Sequence, residues 1–179
     1  ISVLTEEDFF AGSLADMESV VSSVAIPVLR KDFTIDEFQI VESAAAGAAA
    51  ILLIAEALEQ QQLRDFLSAS ESFGLDAIVE VHDREEMEIA IDSGASIIGV
   101  NNRNLKTFEV SLDVSRSLIE LRPGGVLMIA ESGISNPEEI AELHGLGFDA
   151  FLIGETLMRS SDPAGELKRL LNAAETAGA

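Results

Sequence analysis

The residues that could do chemistry in this chain stand where short apolar runs stop. Pro27-Val28-Leu29 leads into Arg30-Lys31-Asp32, two cations and an anion side by side. A lysine at the end of a core strand is costly to desolvate without a partner or a task. Lys31 therefore reads either as a general acid or anion ligand, or as a solvated lysine paired with Asp32. Glu80 lies between Val79 and Val81, a carboxylate in apolar surroundings that suits proton transfer; the plainer reading is a structural partner for a neighbouring cation. Asn101-Asn102-Arg103-Asn104 follows Ile97-Ile98-Gly99-Val100. Asparagines often only make turns, so at least one should be structural, and Asn101, nearest the strand, is the candidate for orienting a substrate hydroxyl. Glu131-Ser132-Gly133 and Gly154-Glu155 end the last two apolar runs, and the two glycines would let an anion approach the main chain. Phe10, Phe33, Leu52 and Leu105 are candidates for an apolar wall or for plain core. Glu56 either joins the site or starts a loop. His82 and His144 have no partner at metal-ligand spacing and read as surface or structural.

The elements that must position these residues alternate. Seven short strands, near residues 1–4, 24–31, 49–55, 76–82, 96–100, 126–130 and 149–153, are each followed by a helical stretch. The expected helices start at Ser13, Asp36, Glu59, Arg84, Leu112, Pro137 and Pro163. Apolar strands separated by amphipathic helices imply a parallel sheet with right-handed crossovers. An open doubly wound sheet concentrates chemistry at one switch point, whereas a barrel gathers every strand tip at one mouth. Polar tips on nearly every strand favour the barrel: an α/β fold of (βα)8 TIM-barrel type with seven βα units, forming one domain over residues 1–179.

Bulk composition narrows the classes. Of 179 residues, 47% are hydrophobic and 24% charged, which is globular. There is no cysteine, so disulfides and thiolate chemistry are excluded. The formal net charge of −21 and the lack of a basic run argue against nucleic acid and against anionic membranes. An anionic small substrate remains compatible if Arg30, Lys31 or Arg103 supplies local positive charge. No signal peptide or spanning segment is read, and a cytoplasmic location is expected.

Six motifs together, Ser2-Val3-Leu4-Thr5-Glu6, Leu29-Arg30-Lys31-Asp32-Phe33, Val79-Glu80-Val81-His82-Asp83, Gly99 to Leu105, Ala130-Glu131-Ser132-Gly133-Ile134 and Leu152-Ile153-Gly154-Glu155, resemble indole-3-glycerol phosphate synthase. The resemblance implies a lyase of tryptophan biosynthesis that closes the indole ring of 1-(2-carboxyphenylamino)-1-deoxyribulose 5-phosphate with loss of carbon dioxide and water. It implies no metal and no organic cofactor. By resemblance, Lys31 is the general acid and Glu80 the acid/base glutamate. Asn101 and Glu131 line the reacting end, and Ser132 lies near the hydroxyls and phosphate. Ser132, Gly133, Gly154 and the Glu155 amide form the phosphate cradle. Phe10, Phe33, Leu52, Leu105 and Ile134 hold the anthranilate ring, with Arg103 supporting at the mouth. The family's first strand, with its own glutamate and lysine, and its N-terminal helical extension find no counterpart. Ile1 corresponds to the start of the family's second strand, so a barrel truncated at the N-terminus is expected. Its bare strand edges would invite self-association. The alternative is a catalytically incomplete fragment or phosphate-binding barrel domain, completed by another chain.

Overall fold

Several helix starts in this chain are fixed by side chains that satisfy the first free N–H groups. Ser13 accepts from the Asp16 amide and opens α1, Leu14–Ser23. Asp36 and Gln39 form a reciprocal capping box at α2, Glu37–Ala45. Asn136 and Glu139 do the same at α6, Pro137–Leu146, where Pro137 occupies the first turn. Gly147 closes α6 in the left-handed conformation, with φ 118°.

The computed structural model describes residues 1–177. The remaining helices are α3, Gln60–Ser72; α4, Arg84–Asp92; α5, Asp113–Leu118; α7, Glu155–Arg159; and α8, Pro163–Ala177. The strands are β1, Ser2–Leu4; β2, Leu29–Lys31; β3, Ala50–Ile54; β4, Asp76–Val81; β5, Ile97–Asn101; β6, Leu127–Glu131; and β7, Ala150–Leu152. These are the seven strands expected. β2 is shorter than the apolar run suggests: Val24 caps α1, and Pro27, which has no N–H to give a ladder, precedes the strand. α5 also stops early, passing into a 3₁₀ turn over Ile119–Leu121. α7 was not anticipated.

The chain divides into two compact units. The first comprises Ile1–Val81 and Glu88–Ile97, the second His82–Met87 and the residues from Ile98 onward. In the first, β1 to β4 lie in chain order, each paired parallel to the next. Ile51, Leu53, Val79, Met17, Ile40 and Leu63 are its fully buried core. In the second, β5, β6 and β7 again lie in chain order, and β6 pairs parallel to β7. Met128, Ala130, Val100 and Leu143 are buried there. Strands apolar on both faces are what a parallel sheet covered by helices requires.

Candidate active site

In the first unit, strand register decides which charged tip faces where. Lys31 pairs with Leu4, Arg30 with Ile51, and Ile54 with Glu80. Side chains alternate along a strand, so Arg30 and Lys31 face opposite sides of the sheet. Lys31 shares its face with Leu52, Ile54 and Glu80. Arg30 turns toward α2. Its guanidinium donates to Glu42 Oε2 at 2.8 Å, Ser43 Oγ at 3.1 Å and Gln39 O at 3.3 Å. It also donates to Thr5 Oγ1 at 3.0 Å and Asp32 Oδ2 at 3.1 Å. At 6% exposure, Arg30 ties the ends of β1 and β2 to α2. Arg30 is thereby committed to holding the fold, which removes it from the three candidate anion ligands, and Asp32 pairs with Arg30 and Thr5.

Lys31 Nζ lies 3.0 Å from Glu80 Oε2. Glu80 is 2% exposed, while the Lys31 side chain keeps 23%, so the pair is reached from the lysine end. A carboxylate this deep is tolerated because a cation compensates it. Chemically the pair offers a proton donor and an acceptor at hydrogen-bond distance. Phe10 and Phe33 stand with ring centroids 6.3 Å apart, tilted and both half-exposed, within the range of a direct aromatic pair. Leu52 is buried on the Lys31 face. Glu56 is exposed in the 3₁₀ turn Ala55–Ala57. The loop carrying Phe10 is shaped by Glu6, whose carboxylate accepts from the amides of Asp8, Phe9 and Phe10 at 2.7–3.1 Å.

In the second unit, Asn101 ends β5 and Asn102 follows it, with different duties. Asn101 is buried, and its Oδ1 accepts from the Arg103 amide at 3.0 Å. Asn102 binds the main chain at the end of β6 through its side chain. Glu131 is 1% exposed at the tip of β6. Ser132 and Gly133 follow with φ of 65° and 76°, and a Cβ on Gly133 would come within 2.3 Å of Val110 Cγ1, so only glycine fits there. Ile134 is buried. Thr156 Oγ1 donates to Ile134 O at 2.7 Å, which joins the loops after β6 and β7. Gly154 is the N-cap of α7. Glu155 does not direct free charge at that position: its carboxylate is held by Arg103 at 2.6 Å and Arg159 at 2.8 Å. Leu105 is half-buried in a turn where Asn104 Oδ1 accepts from the Lys106 and Thr107 amides. His82 does have an acidic partner four residues on, pairing with Glu86 at 3.0 Å beside the start of α4, which corrects the expectation that it had none; His144 is exposed on α6. Sequence reasoning missed the Asn102 bonds, Thr156, Glu6 and α7.

Polar residues at the C-terminal ends of parallel strands, each strand followed by a helix, define a barrel-type α/β protein. Solved structures agree. The backbone is similar to 3-hexulose-6-phosphate synthase from Salmonella typhimurium, with a TM-score of 0.84 at 16% identity, over 98% of this chain and 87% of that one. It is also similar to KGPDC from Streptococcus mutans, with a TM-score of 0.75 at 14% identity, over 99% and 86%. The fold is of (βα)8 TIM-barrel type, with seven βα units in this chain.

The particular family comes from the sequence. Residues 1–170 match the family model described as indole-3-glycerol phosphate synthase. Relatives of that name include a protein of Chlorobium phaeovibrioides, 52% identical over 90% of this chain and 63% of its own length. Another, from Ruminiclostridium cellulolyticum, is 48% identical over 97% of this chain and 67% of its own length. The chain belongs to the indole-3-glycerol phosphate synthase family, and spans about two thirds of the length of these relatives. Among the described residues no helix is long and apolar enough to cross a membrane.

Proposed function

We propose that this chain serves the reaction for which its family is named: 1-(2-carboxyphenylamino)-1-deoxyribulose 5-phosphate is converted to indole-3-glycerol phosphate, carbon dioxide and water. The observation that supports this best is the buried pair of Lys31 and Glu80, 3.0 Å apart at the ends of β2 and β4. Ring closure joins the carboxylate-bearing ring carbon to the substrate carbonyl carbon. The carbonyl oxygen then takes a proton, which Lys31 supplies. Loss of carbon dioxide returns the electron pair to the ring. The new hydroxyl leaves as water, and Glu80 manages protons around closure and this dehydration.

In this reading Phe10, Phe33 and Leu52 hold the anthranilate ring. Asn101 and Glu131 orient the reacting end. Ser132, Gly133, Gly154 and the Glu155 amide receive the phosphate, which the bond from Thr156 to Ile134 supports by bringing the two loops together. The Arg103–Glu155 pair also supports it, because a neutralised carboxylate repels an anion less. No metal or organic cofactor enters the scheme. The test is incubation with the carboxyphenylamino substrate, followed by product fluorescence and carbon dioxide release. Stoichiometric formation of both is expected, and the absence of both would overturn the proposal.

A further inference from the structure

Asn102 sits just beyond β5 and is 1% exposed. Its Nδ2 donates to Glu131 O at 3.0 Å and to Ser132 O at 3.1 Å. Its Oδ1 accepts from Ser115 N at 3.1 Å and from Ser115 Oγ at 2.8 Å. One side chain thus uses both amide hydrogens and both acceptor positions. Its main chain adds two more bonds, Asn102 N to Glu131 O at 2.9 Å and Ser111 N to Asn102 O at 3.0 Å.

The carbonyls it holds belong to the peptide units that carry the N–H groups of Ser132 and Gly133. A peptide unit is planar and trans, so its C=O and N–H point in opposite directions. Fixing Glu131 O and Ser132 O toward Asn102 therefore aims the Ser132 and Gly133 N–H groups away from it. The same bonds explain how Ser132 keeps a left-handed φ of 65°. That conformation is unfavourable for a non-glycine residue and persists only where the surroundings over-determine it.

We propose that Asn102 is the positioning residue of the anion-binding loop, orienting the Ser132 and Gly133 amides toward the substrate phosphate. This rests on the reading of that loop as a phosphate cradle. Asn102 touches no substrate in the scheme and acts through the main chain of its neighbours.

The experiment is a titration with inorganic phosphate, followed by the amide signals of Ser132, Gly133 and Gly154 in ¹⁵N-labelled protein. Asn102→Asp keeps an acceptor for Ser115 but replaces the two donated hydrogen bonds with an oxygen facing two carbonyls. Ser115→Ala removes one donor to Oδ1 and leaves Nδ2 intact. The native protein should show saturable shifts at these amides. Asn102→Asp should weaken phosphate binding about tenfold or more, and Ser115→Ala about threefold, with native far-ultraviolet circular dichroism. A folded Asn102→Asp variant that binds phosphate as the native protein does overturns the inference alone. If that variant fails to fold, unchanged affinity in Ser115→Ala overturns it. Native Ser132 and Gly133 amides that ignore phosphate overturn the cradle reading, and the inference falls with it.

Discussion

Arg30 and Lys31 are neighbours in β2 whose side chains part to opposite faces of the sheet, Arg30 into a buried network against α2 and Lys31 to within 3.0 Å of Glu80. The division separates two uses of positive charge. One cation holds the strand ends in place, and the next presents an ammonium group beside a buried carboxylate.

The Lys31–Glu80 pair should show itself in stability. Removing one partner of a buried pair takes away compensation from the other charge, at a cost of about 3 kcal/mol. Lys31→Met should therefore destabilise by about that amount, and adding Glu80→Gln should recover most of it. Urea unfolding of the two single variants and the double variant measures the coupling. Additive effects would mean that the two groups do not interact.

Arg30 should matter for folding and not for anion binding. Arg30→Met strands Asp32 and Glu42, and is expected to cost about 3–5 kcal/mol. Arg30→Lys keeps the charge but loses the fork of donors, so it should cost less and leave inorganic phosphate affinity unchanged. A loss of phosphate affinity in folded Arg30→Lys would restore this residue to the list of anion ligands.

The two glycines of the phosphate reading should behave differently. Gly133 has a φ of 76° and no room for a Cβ beside Val110. Gly133→Ala is therefore expected to destabilise by more than about 1 kcal/mol. Gly154 has an ordinary negative φ and open space around it, so Gly154→Ala should be nearly neutral in stability, within about 0.5 kcal/mol. Thermal unfolding of both variants checks the contrast.

Surface pairing around Arg116 sets a pH signature. Hydrogen bonds from Arg116 hold the Asp113 and Glu142 carboxyls below their ordinary values of 3.8 and 4.5. For groups depressed in the folded state, the stabilisation is complete above the unfolded value and is lost as pH falls through the folded one. Both carboxyls should titrate below those ordinary values in carbon-detected spectra, and Arg116→Gln should move both midpoints upward. Unmoved midpoints would show that the pairs are not populated in solution.

How far the sequence could be read depended on how local each signal was. Ser13, Asp36, Pro137 and Gly147 mark helix ends through contacts within a few residues, and the helices were found there. The parting of Arg30 and Lys31 depends on register with β1 and β3, which only the paired sheet defines. Pro27 further obscured where β2 begins. Asn101 and Asn102 are chemically identical, so nothing in their spacing says which one faces the Ser115 backbone. The five residues of α7 are too few to display a helical period. Thr156 gained its role only when the chain brought its hydroxyl to Ile134 O.

The most direct measurement is the steady-state rate of indole-3-glycerol phosphate formation by Lys31→Ala and by the native protein. A general acid supplies about 10²–10⁴ in rate, so kcat should fall by at least a hundredfold. KM should change much less, because in the proposed scheme the ring and phosphate contacts are assigned to other residues. Lys106→Ala, in an exposed turn, should leave kcat within about twofold. A Lys31→Ala protein that turns over within a few-fold of the native one would contradict the role given to Lys31 and the mechanism built on its pairing with Glu80.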